Sequence, residues 1–245
     1  MSSSVRQREA FEDRRFSAPP ERTARMARIV ADSMPRPAHA VLDLGCGTGR
    51  LARAVAAAHP AASVLGIDVS AVNIAAAIES AALERSTAAF RQADYMAFDG
   101  GPFDLIVTDG VLHLIPGDTR ALFDKLSGDL RAGGVLVCCM PYDCAYNRAF
   151  AVVRRAMRAC RGAWLDALIL ALARMLHGRE MTTDDLRERV PYMYIPPART
   201  MTAELRDRLA PSVGLRPVGT RPMRSTSRSQ LKHNVTIFRK DTTTA

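Results

Sequence analysis

From residue 40 onward the chain alternates between short apolar runs and segments in which small and apolar residues recur at helical spacing. An apolar run of about four to eight residues suits a strand covered on both faces. Regular alternation of such strands with helices builds a parallel sheet with right-handed crossovers. The pattern predicts strands at 40–44, 63–67, 88–92, 103–108 and 135–140, and helices at 49–58, 71–83 and 119–130. Ser70 and Asp118 precede the second and third of these helices, where a short oxygen-bearing side chain accepts from a free backbone N–H. Before the alternation begins, 11–16 reads as a short helix and 21–34 as a longer one that stops at Pro35 and Pro37. After Met140 the alternation ends. Residues 141–212 read as helices at 148–160, 164–177, a short one to Val190 opened by Thr182-Thr183-Asp184-Asp185, and one from Thr202 to Leu209, with an extended stretch at 192–197. Strands resume at about 213–218 and 231–239.

The first strand runs into Asp43-Leu44-Gly45-Cys46-Gly47-Thr48-Gly49, followed at once by a helix-forming segment. Glycine serves where the backbone turns sharply against a ligand, and the helix N-terminus behind it presents unpaired N–H groups. In the dinucleotide fingerprint G-x-G-x-x-G/A the third small residue would fall at position 50. Arg50 stands there, and the third glycine is Gly49. The spacing instead resembles motif I of the class I S-adenosylmethionine-dependent methyltransferases, D-x-G-x-G-x-G. Asp68, at the end of the second strand, occupies the place where Rossmann-like folds put an acid for ribose hydroxyls.

The resemblance covers 40–140 by motif and 213–239 by pattern. It implies an α/β, Rossmann-like, seven-stranded and mostly parallel sheet with helices on both faces, the last strand antiparallel, and here a helical insertion after the fifth strand. It divides the single domain into an N-terminal helical cap (1–36), a cofactor core (40–140), a helical lid (141–212) and final strands (213–240). It implies S-adenosylmethionine as cofactor. Asp43 would face the methionine end, the backbone of Gly45, Cys46 and Gly47 would lie against the cofactor, Asp68 would take the ribose, and Val69 would flank the adenine. Asp94 would accept from the adenine amino group, or simply open a loop, and Tyr95 or Met96 would pack on the adenine face. Asp109 and Gly110 would border the methionine moiety. The stretch Val111-Leu112-His113-Leu114 is similar to the A-L-H stretch of trans-aconitate methyltransferase-like enzymes, which places His113 at the substrate either as a proton acceptor or as a structural hydrogen bonder.

Methyl transfer from a sulfonium asks chiefly for alignment and a dry site, and positioning alone supplies on the order of 7–11 kcal/mol. Acceptor specificity is therefore expected in the insertion. Four of the five tyrosines lie there, Tyr142, Tyr146, Tyr192 and Tyr194, together with the single tryptophan. Tyrosine suits a pocket because it joins an apolar body to one polar handle. Trp164 is expected in the core of the helical subdomain. Residues 163–176 are apolar nearly all round, which fits a buried helix or, beside Arg154, Arg155, Arg158 and Arg161, a helix lying on a membrane surface.

Composition narrows the partners. The formal charge is +9, which is either a solvated basic surface, the tail with Arg221, Arg224, Arg228 and Lys232 included, or a face for an acidic carrier protein or acidic lipid. Nucleic acid is disfavoured, since the N/D-P-P-Y/F signature of many nucleic-acid amino-methylating enzymes is missing. Five cysteines without C-x-x-C spacing argue against a disulfide framework or a zinc site. With no signal-like start and no membrane-spanning run, the expectation is a cytoplasmic enzyme that methylates a small-molecule acceptor on O, N or S, in specialised metabolism. The alternatives are a quinone or lipid precursor, RNA, a carrier-bound substrate, or a non-catalytic binder of the cofactor.

Overall fold

A computed structural model of the chain describes residues 18–35, 38–178, 182–223 and 230–242. The helix expected at 11–16, and Arg224 and Arg228 of the basic tail, lie outside the described residues. The strands are β1 (Ala40–Leu44), β2 (Ser63–Asp68), β3 (Ala89–Gln92), β4 (Phe103–Asp109), β5 (Leu130–Pro141), β6 (Leu215–Met223) and β7 (His233–Lys240). They form one seven-stranded sheet in the order β3-β2-β1-β4-β5-β7-β6. Strands β1 to β5 pair in parallel. Only β7 runs against its neighbours, slotted antiparallel between β5 and β6.

Neighbouring residues along each strand feed opposite faces of the sheet. Leu42, Ile106, Leu136, Cys138 and Phe238 pack on one side with Phe123 and Leu126 of α4 (Thr119–Gly128). Val41, Val107, Val135, Val137, Cys139 and Val235 pack on the other side. There they meet Leu51 and Val55 of α2 (Arg50–Ala58) and Met26, Ile29 and Val30 of α1 (Pro20–Ser33). The N-terminal helix is thus part of the core as well as a cover. Helix α3 (Ala71–Glu84) opens as the sequence implies, with the Ser70 hydroxyl accepting from the Asn73 N–H. Asp118 caps α4 in the same way through the Ala121 N–H.

Several boundaries differ from the sequence reading: β6 runs on to Met223, past the expected end at 218, and the helix read from 148 begins at Ala145. The glycines at 133 and 134 are read as a stop between helix and strand, but β5 already begins at Leu130. Gly133 takes φ +75° inside that strand, and the register against β4 shifts between Phe103 and Leu105. A left-handed glycine lets a strand kink and continue. Residues 192–194, expected to be extended, instead close a 3-10 turn over Val190–Tyr194.

The insertion comprises α5 (Ala145–Ala159), α6 (Ala163–His177), α7 (Thr183–Arg189), that 3-10 turn, a π-helical turn (Leu205–Leu209) and α8 (Ala210–Ser212). Leu165, Val190 and Tyr194 form its own small core. Trp164 does not join them: it is 65% exposed, because α6 packs through Leu165 and turns Trp164 outward.

Candidate active site

In a parallel sheet the strand ends that carry free chain point to one edge, and ligands collect there. Here a cavity of about 560 Å³ opens at that edge. Leu44, Asp68, Asp94 and Asp109 line it from the ends of β1 to β4. Arg22 enters from α1, Arg154 from α5, Tyr192 and Met193 from the 3-10 turn. His233 arrives from β7, whose reversed direction brings its start to this edge.

The glycine loop and Asp68 are one unit. Gly45, Gly47 and Gly49 all take positive φ, of 74°, 52° and 74°, conformations that cost other residues strain. The N–H groups of Gly45 and Cys46 donate to the Ile67 carbonyl at 2.8 and 2.9 Å. Asp68 then accepts from the Gly47 N–H on Oδ2 at 2.9 Å, and from the Ser70 N–H at 2.9 Å and Asn73 Nδ2 at 3.3 Å on Oδ1. A carboxylate offers about four lone-pair sites, so these bonds hold it in place without exhausting it. Gly49 sits against the Phe90 ring, where any Cβ would collide.

Of the sequence-predicted cofactor residues, Gly45, Asp68, Val69, Asp94, Tyr95, Asp109 and Gly110 line the cavity. Asp43, Cys46 and Gly47 do not. Asp43 is 2% exposed and its Oδ2 has no hydrogen-bond partner. Burial, with Asp109 and Asp68 nearby, pushes its carboxyl up to about 7. The same burial raises the Cys46 thiol far above its usual range, so it stays protonated. Asp94 opens the loop, its Oδ1 accepting from the Met96 N–H at the start of a 3-10 turn, and it also lines the cavity.

Asp109 is held by Arg22, Nε to Oδ2 at 2.8 Å. This pair ties the N-terminal helix to the end of β4 across 87 residues of sequence. Nothing in the sequence distinguishes Arg22 from a solvated helical arginine. The same is true of Arg154, which is 9% exposed. Its Nη1 donates to the Ile195 carbonyl at 3.0 Å, and its Nε has no partner. Among the described residues no carboxylate pairs with it, and burial pulls its guanidinium down to about 10. Another buried arginine, Arg199, braces the loop that carries His113 from behind, donating to the carbonyls of Leu112, Ile115 and Gly117.

The four tyrosines separate. Tyr192 lines the cavity. Tyr194 does not, because its hydroxyl donates to Asp166 at 2.6 Å inside the insertion's core. Tyr142 continues β5 as a bridge to Met201. Tyr146 stacks on Phe150 at 5.7 Å, under Lys232. Tyr142, Tyr146 and Tyr194 do not line the cavity.

His113 is 5% exposed, with its Nδ1 unpartnered, and meets His233 edge to face at 5.6 Å. Burial, with His233 and Arg154 beside it, holds His113 well below 6.5. Burial lowers His233, whose Nδ1 faces the Leu231 carbonyl at 2.8 Å, to about 4. Both rings are therefore neutral at pH 7. An unfolded imidazole protonates below 6.5 while folded His233 stays neutral down to about 4. Stability present above 6.5 is thus lost as pH falls toward 4. Between about pH 7 and pH 4.5, wild type should lose roughly 2–3 kcal/mol relative to His233→Gln in urea unfolding. A difference that does not change with pH would show that this ring titrates normally.

Residues 41–134 match the family model described as "Methyltransferase domain". A trans-aconitate 2-methyltransferase of Deinococcus radiodurans is 38% identical over 115 residues, covering 46% of this chain and 43% of the relative. One from Methylobacterium radiotolerans is 35% identical over 152 residues, covering 60% and 54%. The chain spans about half the length of these curated relatives. Among solved structures, the magnesium protoporphyrin IX methyltransferase of Synechocystis shares the fold with a TM-score of 0.60 at 17% identity, covering 98% of this chain and 95% of that one.

Proposed function

We propose that the chain, whose residues 41–134 match a methyltransferase domain, is a class I S-adenosylmethionine-dependent methyltransferase that methylates an O, N or S atom of a small molecule carrying an anionic group. The observation that carries the acceptor class is Arg154, a buried cation with no acidic partner among the described residues, on the wall of the cavity that Asp68 also lines. A buried cation with no acidic partner is costly, and an incoming carboxylate or phosphate would complete it. The names of the relatives, which are trans-aconitate 2-methyltransferases, support an acidic acceptor.

The residues present fit the family's cofactor. Asp68 would take the ribose, with Asp94 and the apolar side chains of Val69, Tyr95 and Met96 around the adenine. Gly45 and Gly110, both at positive φ, let the backbone approach the methionine part, and the Arg22–Asp109 pair flanks it. The cofactor supplies an electrophilic methyl group on a sulfonium. The chain's own part is alignment and exclusion of water: Arg154 anchors the acceptor, while Tyr192, Met193 and Leu114 enclose it. His113, neutral through burial, is available to accept a proton where the attacking atom carries one.

Turnover of methyl-labelled S-adenosylmethionine against small carboxylates and their neutral amide counterparts tests the reading. Methylation should require the anionic group. Arg154→Gln should raise KM for the acceptor about 10- to 100-fold, the worth of a charge-assisted hydrogen bond. Affinity for S-adenosylhomocysteine should stay within about twofold, since Arg154 is not assigned to the cofactor. Equal turnover of the amides, or an unchanged KM, would overturn the anionic-acceptor reading.

A further inference from the structure

We propose that the outer face of α5 and α6 docks on an anionic lipid surface. Helix α6 is apolar on two sides. Its inner side packs Leu165 against Val190 and Tyr194. Its outer side presents Trp164, Ala167, Leu168, Ala171, Leu172 and Met175, all exposed, at the i, i+3, i+4, i+7, i+8, i+11 spacing of a buried stripe. Trp164 is 65% and Met175 75% exposed. Val152 and Val153 of α5 are exposed as well. Among the described residues no element packs on this stripe.

Charge decides the occupant. Residues 145–177 contain six arginines and one aspartate. Arg155, Arg158, Arg161 and Arg174 are exposed, and the single Asp166 is taken by the Tyr194 hydroxyl. A second copy of the chain would bring two arginine-rich rims together, and like charges repel. A nucleic acid would match the arginines but leave the stripe in water. An anionic bilayer surface satisfies both, with the stripe at the level of the acyl boundary and the guanidinium groups among the headgroups. Helix α6 has 15 residues, and no helix of the described chain is long and apolar enough to cross a membrane, so the helix would lie in the surface plane.

Trp164 is the single tryptophan, so its emission reports on the stripe directly. Full-length protein is mixed with vesicles of phosphatidylcholine alone, or of phosphatidylcholine with about a third phosphatidylglycerol, and followed by fluorescence and co-sedimentation. The mixed vesicles should bind the protein and shift Trp164 emission to the blue, with weaker binding in high salt. Phosphatidylcholine alone should bind at least about tenfold more weakly. Leu168→Glu/Leu172→Glu should lose vesicle binding while methyl transfer and melting temperature hold, because neither residue lines the cavity. Absence of a shift, equal binding to neutral vesicles, or undiminished binding by the double variant would overturn the proposal. So would concentration-dependent dimerisation that the same double variant abolishes, which would assign the face to a second copy of the chain.

Discussion

An Arg199→Met variant should melt roughly 10 °C below the wild-type protein. Arg199 is 7% exposed. Its Nη1 donates to the carbonyls of Leu112 at 2.6 Å and Ile115 at 2.7 Å, its Nη2 to Gly117 at 2.9 Å, and its Nε to the Thr119 hydroxyl at 3.1 Å. Methionine keeps much of the volume but donates nothing, so three carbonyls lose their partner. A single bond to a charged donor is worth about 1.5–3 kcal/mol, and bonds sharing one guanidinium do not add fully. A loss of about 3–5 kcal/mol is therefore expected, and for a domain of this size each kcal/mol moves the melting point by about 2–4 °C. Calorimetry decides it, and a melting point within about 2 °C of wild type would show that the loop stands without its brace. Residual activity should fall as well, since the braced loop positions His113.

Asp68→Ala should weaken S-adenosylhomocysteine binding by about 10- to 100-fold in calorimetric titration. One part of the loss is direct, two hydroxyl bonds to a carboxylate. The other is indirect. Asp68 accepts from the Gly47 and Ser70 N–H groups, so its removal frees the very loop whose shape the glycines were needed to permit. Asp68→Asn separates the parts. It preserves size but loses the charge and can accept on one oxygen only, so it should fall between wild type and Ala. An unchanged dissociation constant for Ala would remove Asp68 from the cofactor site.

The parallel half of the sheet was legible because its strands are buried on both faces. An uninterrupted apolar run between glycines or prolines has few other readings, and β1, β2 and β4 agree with it to within a residue. Strand β5 was harder because Gly133 and Gly134 look like a breaker, whereas Gly133 supplies a kink within the strand. The site was legible wherever backbone geometry demands a residue type: three glycines at positive φ, and the acid that receives the Gly47 N–H. It was illegible where a residue is defined by what surrounds it. Arg22, Arg154 and Arg199 are three among 34 basic residues, and only their tertiary contacts set them apart. Tyr192 and Tyr194 are two positions apart and equally aromatic. The turn over Val190–Tyr194 faces one toward the cavity and the other into the insertion's core. Trp164 was misjudged for a related reason. An all-apolar helix gives no hint of which side will be left without a neighbour.

The reversed strand also has a consequence for the timing of synthesis. Strand β7 is the last in sequence, yet it fills an interior slot between β5 and β6. Until residue 240 has been made, β5 has an open edge and the cavity lacks the wall that His233 supplies. Such an edge of unpaired N–H and carbonyl groups invites pairing with other chains. Domains generally fold from the N-terminus as they emerge, but this one cannot close early. A nascent chain stalled before β7 therefore holds the glycine loop and Asp68 but no completed acceptor wall, and ability to retain the cofactor should appear on the ribosome before ability to turn it over.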